Sequence, residues 1–155
     1  MTQENKDLLL KDLCARLPYK PIVQIDDCGI WNLRGVDHDD SAELRDRVIV
    51  WHEENYSSFK SSFPIIDCKP YLFPLSSMTE EQEKEIQEIV GNSDNACIIR
   101  KTDGLELWLD SIDTDPTIWL DTIFEVQDYL NKNHFDYRNL INKNLAIDCT
   151  NLNIY

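Results

Sequence analysis

The chain begins with a stretch in which apolar residues recur at helical spacing. In "ENKDLLLKDLCARLP", Leu10, Leu13, Cys14 and Leu17 follow the i, i+3, i+4, i+7 pattern that places side chains on one face of a helix. Pro18 ends this pattern, because proline lacks an amide hydrogen and restricts the residue before it. The pattern predicts a first helix over residues 4–17.

The pattern changes between residues 19 and 75, where short runs rich in Val, Ile, Trp and Phe alternate with polar segments. The runs are "KPIVQID", "IWNLRGVD", "RVIVWHE" and "FPIIDCKPYLF", and the expected turns are "DDCG", "DHDDSAE" and "ENYSSFKSS". Runs of this length and composition are typical of strands at hairpin spacing. Because closure removes the exposed edges of a sheet, they predict a small SH3-like β-barrel or, in an open form, a bent antiparallel sheet.

The stretch "KPYLFPLSSMTEEQ", residues 69–82, joins this β-rich part to the helices that follow. Its prolines cannot donate to a sheet ladder, so they mark strand edges or ends, and their spacing does not match the P-x-x-P of polyproline ligands. Ser77 with Glu80, or Thr79 with Gln82, fits a capping box at the start of a helix that Gly91 ends. We interpret the stretch as a junction rather than a recognition site.

The C-terminal half predicts a hairpin and further helices. "ACIIRK" and "LELWLD" flank the turn signal "TDG", and Asp115 with Pro116 suits the start of the helix that follows. A broad apolar stripe predicts that this helix is well buried. The stripe consists of Trp119, Leu120, Ile123, Phe124, Val126 and Leu130. Asp136 is placed to cap a short last helix, "YRNLINK", that stops at Asn144, and "LAIDCTNLNIY" follows as a strand or an extended tail.

These elements predict an α+β fold in one compact domain over residues 1–155. A β-rich part covers residues 19–75, and a helix–hairpin–helix part covers residues 76–155. The length is typical of a single domain, and the 42% of apolar residues suffices for a core.

The charge limits the partners that the chain can bind. Acidic residues number 29 against 15 basic ones, which gives a net charge of −14. Binding to nucleic acid or to an anionic membrane needs clustered Lys and Arg, so neither is expected, whereas a basic protein partner fits. No apolar run approaches the roughly 18 residues of a membrane span, and no secretory signal is recognised at the N-terminus. We therefore expect a cytoplasmic protein whose five cysteines are mostly buried thiols.

Several polar segments contain residues that could carry chemistry. "VDHDD" (residues 36–40) and "LDSIDTD" (residues 109–115) offer carboxylates for a divalent metal, but a solvated turn and helix capping explain them more simply. His52 in "WHEEN" is read as the polar end of a strand, and His134 as a residue at a helix C-terminus. The four glycines form neither a dinucleotide-binding turn nor a P-loop. We predict no catalytic residue, no bound metal and no cofactor.

One group of aromatic residues stands apart as a candidate partner-binding patch. Val48 and Val50 share one face of a predicted strand, which places Ile49 and Trp51 on the other. Trp51 with Tyr56 and Phe59 would then form an apolar patch ringed by acidic residues. Such patches mark protein interfaces, although burial of Trp51 in the core is the simpler alternative.

Three phrases also carry a resemblance. "LLLKDLCARLPY", "KPYLFPLSSMTEEQ" and "HFDYRNLINKNLAID" resemble, in the same order, a group of small uncharacterised proteins from gut Bacteroidetes and their phages or mobile elements. The resemblance covers about a third of the chain and leaves residues 22–63 unmatched. It implies a shared scaffold and a phage or mobile-element source, and it carries no activity.

The leading hypothesis is therefore a non-enzymatic, acidic protein-interaction module, whose partner would be a host factor if the source is a phage. One alternative is a metal-dependent or Cys/His enzyme whose site is assembled from distant segments. Another is a decoy that mimics nucleic acid through an acidic surface.

Overall fold

A computed structural model describes the backbone of residues 1–37, 47–54, 57–91, 96–101, 104–109 and 116–155, and the side chains of residues 1–37, 47–50, 61–91 and 121–155. The helices are α1 (Gln3–Arg16), α2 (Glu80–Val90) and α3 (Pro116–Lys132). The strands are β1 (Ile22–Ile25), β2 (Gly29–Asp37), β3 (Arg47–Glu54), β4 (Ser57–Pro64), β5 (Cys68–Pro74), β6 (Ala96–Lys101), β7 (Gly104–Leu109), β8 (Phe135–Asp136) and β9 (Ile147–Asp148). The α+β class is confirmed.

Contacts along the chain divide it into two units. The first contains Met1–Leu72 and Arg138–Tyr155, and the second contains Phe73–Tyr137. The boundary at Leu72 and Phe73 falls within β5, inside the stretch that the sequence marks as a junction. The organisation as a single domain with a division after residue 75 stays a prediction.

The first unit is built around a sheet in the order β4-β3-β2-β1-β5, with antiparallel neighbours. The short strand β9 is parallel to β5, so the sheet is mixed. The predicted SH3-like barrel is not closed. Closure would need β4 to pair with β5, but among the described strands of this unit β4 pairs only with β3, and β5 pairs with β1 and β9.

The segment predicted as the turn "ENYSSFKSS" is largely strand. Ser57–Pro64 forms β4, and its residues pair in register with all of β3, from Arg47↔Pro64 to Glu54↔Ser57. The sequence does not indicate this strand, because its serines are typical of turns. Pairing with the long strand β3 sets its register.

The core of the first unit lies between α1 and one face of this sheet. Val48 and Val50 are fully buried while Ile49 is partly exposed, as the alternation predicted. Leu9 and Leu13 of α1 are also fully buried, and each contributes about 1.5–3 kcal/mol by leaving water. The cluster consists of Leu9, Leu13, Val23, Ile25, Leu33, Val48, Val50, Ile65 and Cys68.

The buried face of α1 differs from the predicted one. The helix ends at Arg16, before Pro18, close to the predicted boundary. Its buried residues are Leu9, Asp12, Leu13 and Arg16, whereas Cys14 is exposed. The prediction holds for Leu13, which is buried, and for Leu10 and Leu17, which are partly buried against the same core, and it is wrong for Cys14. It followed apolar residues alone and so did not include the two buried charged residues.

The C-terminal segment of the first unit packs without a regular helix. The predicted helix "YRNLINK" is instead a series of turns, in which Asn139 and Asn144 have φ angles of 61° and 57°. These left-handed conformations suit asparagine and interrupt a helix. Leu72, Leu140, Leu145 and Ala146 form a small apolar cluster. The segment predicted as a strand or an extended tail contains the two-residue strand β9 and is otherwise irregular.

In the second unit, α2 begins and ends as its sequence predicts. Thr79 Oγ1 accepts a hydrogen bond from the Gln82 amide at 3.3 Å, and Gln82 Oε1 accepts one from the Thr79 amide at 2.9 Å. This reciprocal capping box satisfies two helix-terminal amides. Ser77 instead donates to the Pro74 carbonyl. Gly91 follows the helix with a φ of 85°, a conformation that favours glycine.

The rest of the second unit consists of the predicted hairpin and α3. Strands β6 and β7 pair in register from Ala96↔Leu109 to Lys101↔Gly104. The core of the unit contains Met78, Ile86, Leu130 and Phe135. The prediction that α3 is well buried holds only for part of the helix: Leu130 is buried, but Phe124 is 61% exposed and Ile123 is 42% exposed. The side chains of Trp119 and Leu120 lie outside the described residues.

Candidate functional site

The predicted patch of Trp51, Tyr56 and Phe59 lies only partly within the described chain. Trp51 is in β3, with Asn32 and Lys60 as its Cα partners in the neighbouring strands, and Phe59 is in β4. Tyr56 and the side chains of Trp51 and Phe59 lie outside the described residues. The patch stays a prediction.

The two acidic segments considered for a metal also lie largely outside the described chain. Asp37 ends β2 opposite Arg47, whereas residues 38–40 and 110–115 are not described. Within the part of the chain that the structure describes, no group of three or more His, Cys, Asp or Glu residues could hold a metal ion.

His134 lies just beyond the C-terminus of α3, where its backbone forms two hydrogen bonds. Its backbone has a φ of 57°, and the side chain is mostly buried. The His134 amide donates to the Asn131 carbonyl at 3.2 Å, and the His134 carbonyl accepts from the Phe73 amide at 2.9 Å. The second bond ties the end of α3 to β5, and His134 lies just beyond the helix, where the sequence places it. The side chain of His52 is outside the described region.

The described cysteines are free and divide into two kinds. Cys14 and Cys28 are exposed, against the expectation of buried thiols, while Cys68 and Cys149 are buried. Burial raises the pKa of Cys149 to about 11, with a further contribution from Asp148, and it raises the pKa of Cys68 further still. Both buried thiols therefore stay protonated at neutral pH, and a thiol is a poor nucleophile compared with a thiolate.

Among the side chains that the structure describes, the most buried polar cluster lies on α1, and the apolar pattern of the sequence does not indicate it. Asp12 Oδ2 accepts from Arg16 Nε at 2.8 Å, and Asp12 Oδ1 accepts from Arg16 Nη2 at 3.1 Å and from Arg138 Nη1 at 3.3 Å. The side chains of Asp12 and Arg16 are fully buried, and that of Arg138 is 10% exposed. Only the i, i+4 spacing of Asp12 and Arg16 could have indicated the pair. The cluster joins α1 to the C-terminal segment.

A tyrosine hydroxyl lies beside this cluster and bridges two strands. The Ile22 amide donates to Tyr155 Oη at 3.2 Å, and Tyr155 Oη donates to the Tyr71 carbonyl at 3.0 Å. Ile22 and Tyr71 are the residues that follow the pair Val23↔Pro70 along β1 and β5, and the hydroxyl bridges their backbone groups. Burial raises the pKa of Tyr155, so its hydroxyl keeps the proton that it donates. Both polar clusters therefore act in holding the first unit together.

The two units differ strongly in charge. Phe73–Tyr137 contains 15 acidic residues and four basic ones, whereas the remainder contains fourteen acidic and eleven basic residues. The smaller segment therefore carries an excess of eleven negative charges, and the rest carries an excess of only three. On α2, Glu81, Glu85 and Glu88 are exposed, and their i, i+4, i+7 spacing places them on one face.

The exposed face of α3 combines acidic and apolar residues. Phe124 is largely exposed, and Asp121, Glu125 and Asp128 are exposed around it. Among the described residues, Phe124 is the large exposed aromatic residue with three exposed carboxylates within four positions of it on the same helix. This arrangement can bind a cationic group.

Comparisons of the chain with protein-family models, with curated proteins and with solved structures found no match. Among the helices that the structure describes, none is long and apolar enough to cross a membrane.

Proposed function

We propose that the chain is a non-enzymatic, cytoplasmic binding protein whose acidic segment, Phe73–Tyr137, binds a basic surface of another protein. The observation that carries this proposal is the concentration of eleven excess negative charges in that segment. Charge of one sign over a small surface attracts an oppositely charged partner and speeds its association. Nucleic acid and anionic membranes are not proposed as partners, because their phosphates would be repelled.

A second candidate function is favoured by the glutamates of α2. An acidic mimic of nucleic acid needs a row of carboxylates on one face, and Glu81, Glu85 and Glu88 form a short row of this kind. The two functions differ in what carries the binding. A mimic binds through carboxylates alone, whereas an interaction module also uses an apolar contact at the centre of its interface.

The test is an affinity capture with the tagged full-length chain at low and at high salt. The resemblance to proteins of gut Bacteroidetes makes the lysate of such a bacterium the material of choice. The captured partner is then purified and its affinity is measured by calorimetry. We expect one stoichiometric partner with a basic surface, and we expect its affinity to fall as salt rises.

Matched variants separate the acidic segment from the rest of the chain. One variant carries Glu80→Gln, Glu81→Gln and Glu88→Gln, and its control carries Glu4→Gln, Asp26→Asn and Asp27→Asn. Each removes three exposed negative charges. We expect the first to weaken binding about tenfold, since an exposed charge contributes about 0.2–1 kcal/mol, and the control to change it little. A lysate that yields no partner, or an affinity that neither salt nor the first variant alters, would show the proposal to be wrong.

A further inference from the structure

The starting observation is that α3 exposes the aromatic ring of Phe124, whereas its other described aromatic residue, Tyr129, packs against the core. Leu130 is buried in the core of its unit, and Val126 and Tyr129 pack against that core. Phe124 precedes Val126 by two residues, which is about 200° around a helix, so its side chain is directed away from the core. It is 61% exposed. A single exposed apolar residue is ordinary by itself, so its surroundings decide what it means.

The surroundings of Phe124 are acidic. Asp121 lies three residues before Phe124 and Asp128 lies four residues after it, so both neighbour the ring on the helix surface. Glu125 follows directly, and all three are exposed. In the sequence of α3 the single Lys or Arg is Lys132, at the last position of the helix. The ring is therefore surrounded by negative charge on its own helix.

We propose that Phe124 with Asp121 and Glu125, the Phe124 patch, is the docking site for a basic amphipathic segment of a partner protein. The inference rests on the proposed function and names the surface and the kind of partner. An Arg or Lys of the segment lies over the face of the Phe124 ring, where a cation is attracted by the ring quadrupole. The same cation or its neighbours pair with Asp121 and Glu125, and apolar residues of the segment pack on Phe124 and on the half-exposed Ile123.

Charge distinguishes this occupant from the other candidates. A second copy of the chain would bring a net charge of −14 to a site that is itself acidic, and an anionic membrane would bring phosphates. Both would place like charges opposite each other, which costs free energy. A neutral apolar segment would leave the carboxylates at the rim without partners. A basic segment that also carries apolar residues is the occupant that complements both features of the patch.

The experiment uses the full chain, labelled with ¹⁵N, and a synthetic helical peptide of arginine, lysine and leucine as the probe. The control peptide has glutamate in place of its basic residues. We expect the basic peptide to shift the amide resonances of residues 121–128 most strongly and the acidic peptide to shift none. Shifts that centre on the first unit, or no binding of the basic peptide, would overturn the inference.

Variants make the test specific for the patch. Phe124→Ala is expected to weaken the basic peptide about five- to tenfold, in the range of a central aromatic contact. The matched control is Ile66→Ala, which removes an apolar side chain that is 54% exposed in the first unit, and we expect no change. Alanine has a higher helix propensity than phenylalanine, so α3 keeps its structure, which circular dichroism verifies.

A pair of charge variants separates this inference from the proposed function. Asp121→Asn with Glu125→Gln removes two carboxylates beside Phe124, and Glu80→Gln with Glu81→Gln removes two from α2. If the α3 pair lowers the affinity for the basic peptide more than the α2 pair does, the result supports the Phe124 patch as the docking site. If only the α2 pair weakens binding and Phe124→Ala is neutral, the patch is wrong while the acidic segment still binds. If neither pair has an effect, both proposals fail.

Discussion

At the scale of single residues, the first unit depends on charges that its apolar pattern does not show. Asp12 and Arg16 are both fully buried, and Asp12 accepts hydrogen bonds from Arg16 and Arg138. A buried ion pair contributes little net stability compared with apolar residues, because both charges lose their hydration. Loss of one partner is different, since the other charge then remains buried without compensation.

Replacement of Asp12 by alanine is therefore expected to lower the free energy of unfolding by about 3–5 kcal/mol. The measurement is urea denaturation followed by circular dichroism. The control is Asp7→Ala, which removes an exposed carboxylate from the same helix and should change stability by about 0.5 kcal/mol or less. Equal effects of the two substitutions would contradict the role assigned to the Asp12 cluster.

A double variant tests the same point from the opposite direction. Asp12→Leu combined with Arg16→Met removes both charges and fills the site with apolar atoms. We expect it to recover most of the stability that Asp12→Ala loses, because no unpaired charge remains on α1. A double variant that is no more stable than Asp12→Ala would contradict the view that an unpaired Arg16 charge causes the loss of stability.

At the scale of elements, the junction between the β-rich part and α2 is defined by local chemistry. Pro74 ends β5, and the capping box of Thr79 and Gln82 begins α2. Each of these features depends on neighbours in the sequence, so each can be read without knowledge of the fold. The helix that follows begins with Glu80, Glu81 and Glu83, whose charges favour the positive end of the helix dipole.

Thr79→Ala should lower stability by about 1 kcal/mol, the usual contribution of an N-cap side chain. Native-state hydrogen exchange is the better readout, because it reports the amides of Gln82 and its neighbours in the first turn of α2. Ser76→Ala, three residues earlier and exposed, serves as the matched control and should leave exchange unchanged. If Thr79→Ala does not speed exchange in the first turn, the capping box does not stabilise the helix.

The same contrast explains which elements could be predicted from the sequence. Helix α1, the junction and the β6–β7 hairpin carry local signals, namely periodicity, caps and a turn motif, and the structure contains all of them. The sequence pattern predicts a turn where β4 lies and a helix over residues 137–143, whereas a long partner strand and the left-handed Asn139 and Asn144 decide these segments. The open sheet depends on which strands pair with β5, a long-range choice without a local signal.

The Phe124 patch could not be predicted from the sequence pattern either. Phe124 belongs to an apolar stripe that predicts burial, and only its exposure in the structure separates it from Leu130. Helix propensity and spacing are the same for a residue that faces the core and for one at the margin of the stripe. Tertiary packing makes the difference, and it turned a predicted core residue into a surface candidate.

At the scale of the whole molecule, the dominant property is the unequal distribution of charge. The eleven excess negative charges in Phe73–Tyr137 repel one another, whereas the three excess negative charges in the remainder of the chain cause only weak repulsion. Self-repulsion destabilises a compact state, and salt screens it beyond the Debye length of about 8 Å at an ionic strength of about 0.15 M. The charge that would attract a partner therefore also weakens the segment that carries it.

Added sodium chloride should accordingly protect the second unit more than the first. Hydrogen exchange is measured residue by residue at low and at physiological ionic strength, and exchange of the core amides at Ile86 and Leu130 should slow with salt. The amides at Leu33 and Val50, which are equally shielded in the first unit, serve as the internal control and should change less. A uniform response across both units, or faster exchange at Ile86 and Leu130 in salt, would mean that repulsion within the acidic segment does not limit its stability. A variant with Glu88→Gln and Glu125→Gln should act in the same direction as salt without added ions, because both carboxylates are exposed, lie outside the first turns of their helices and contribute to the same repulsion.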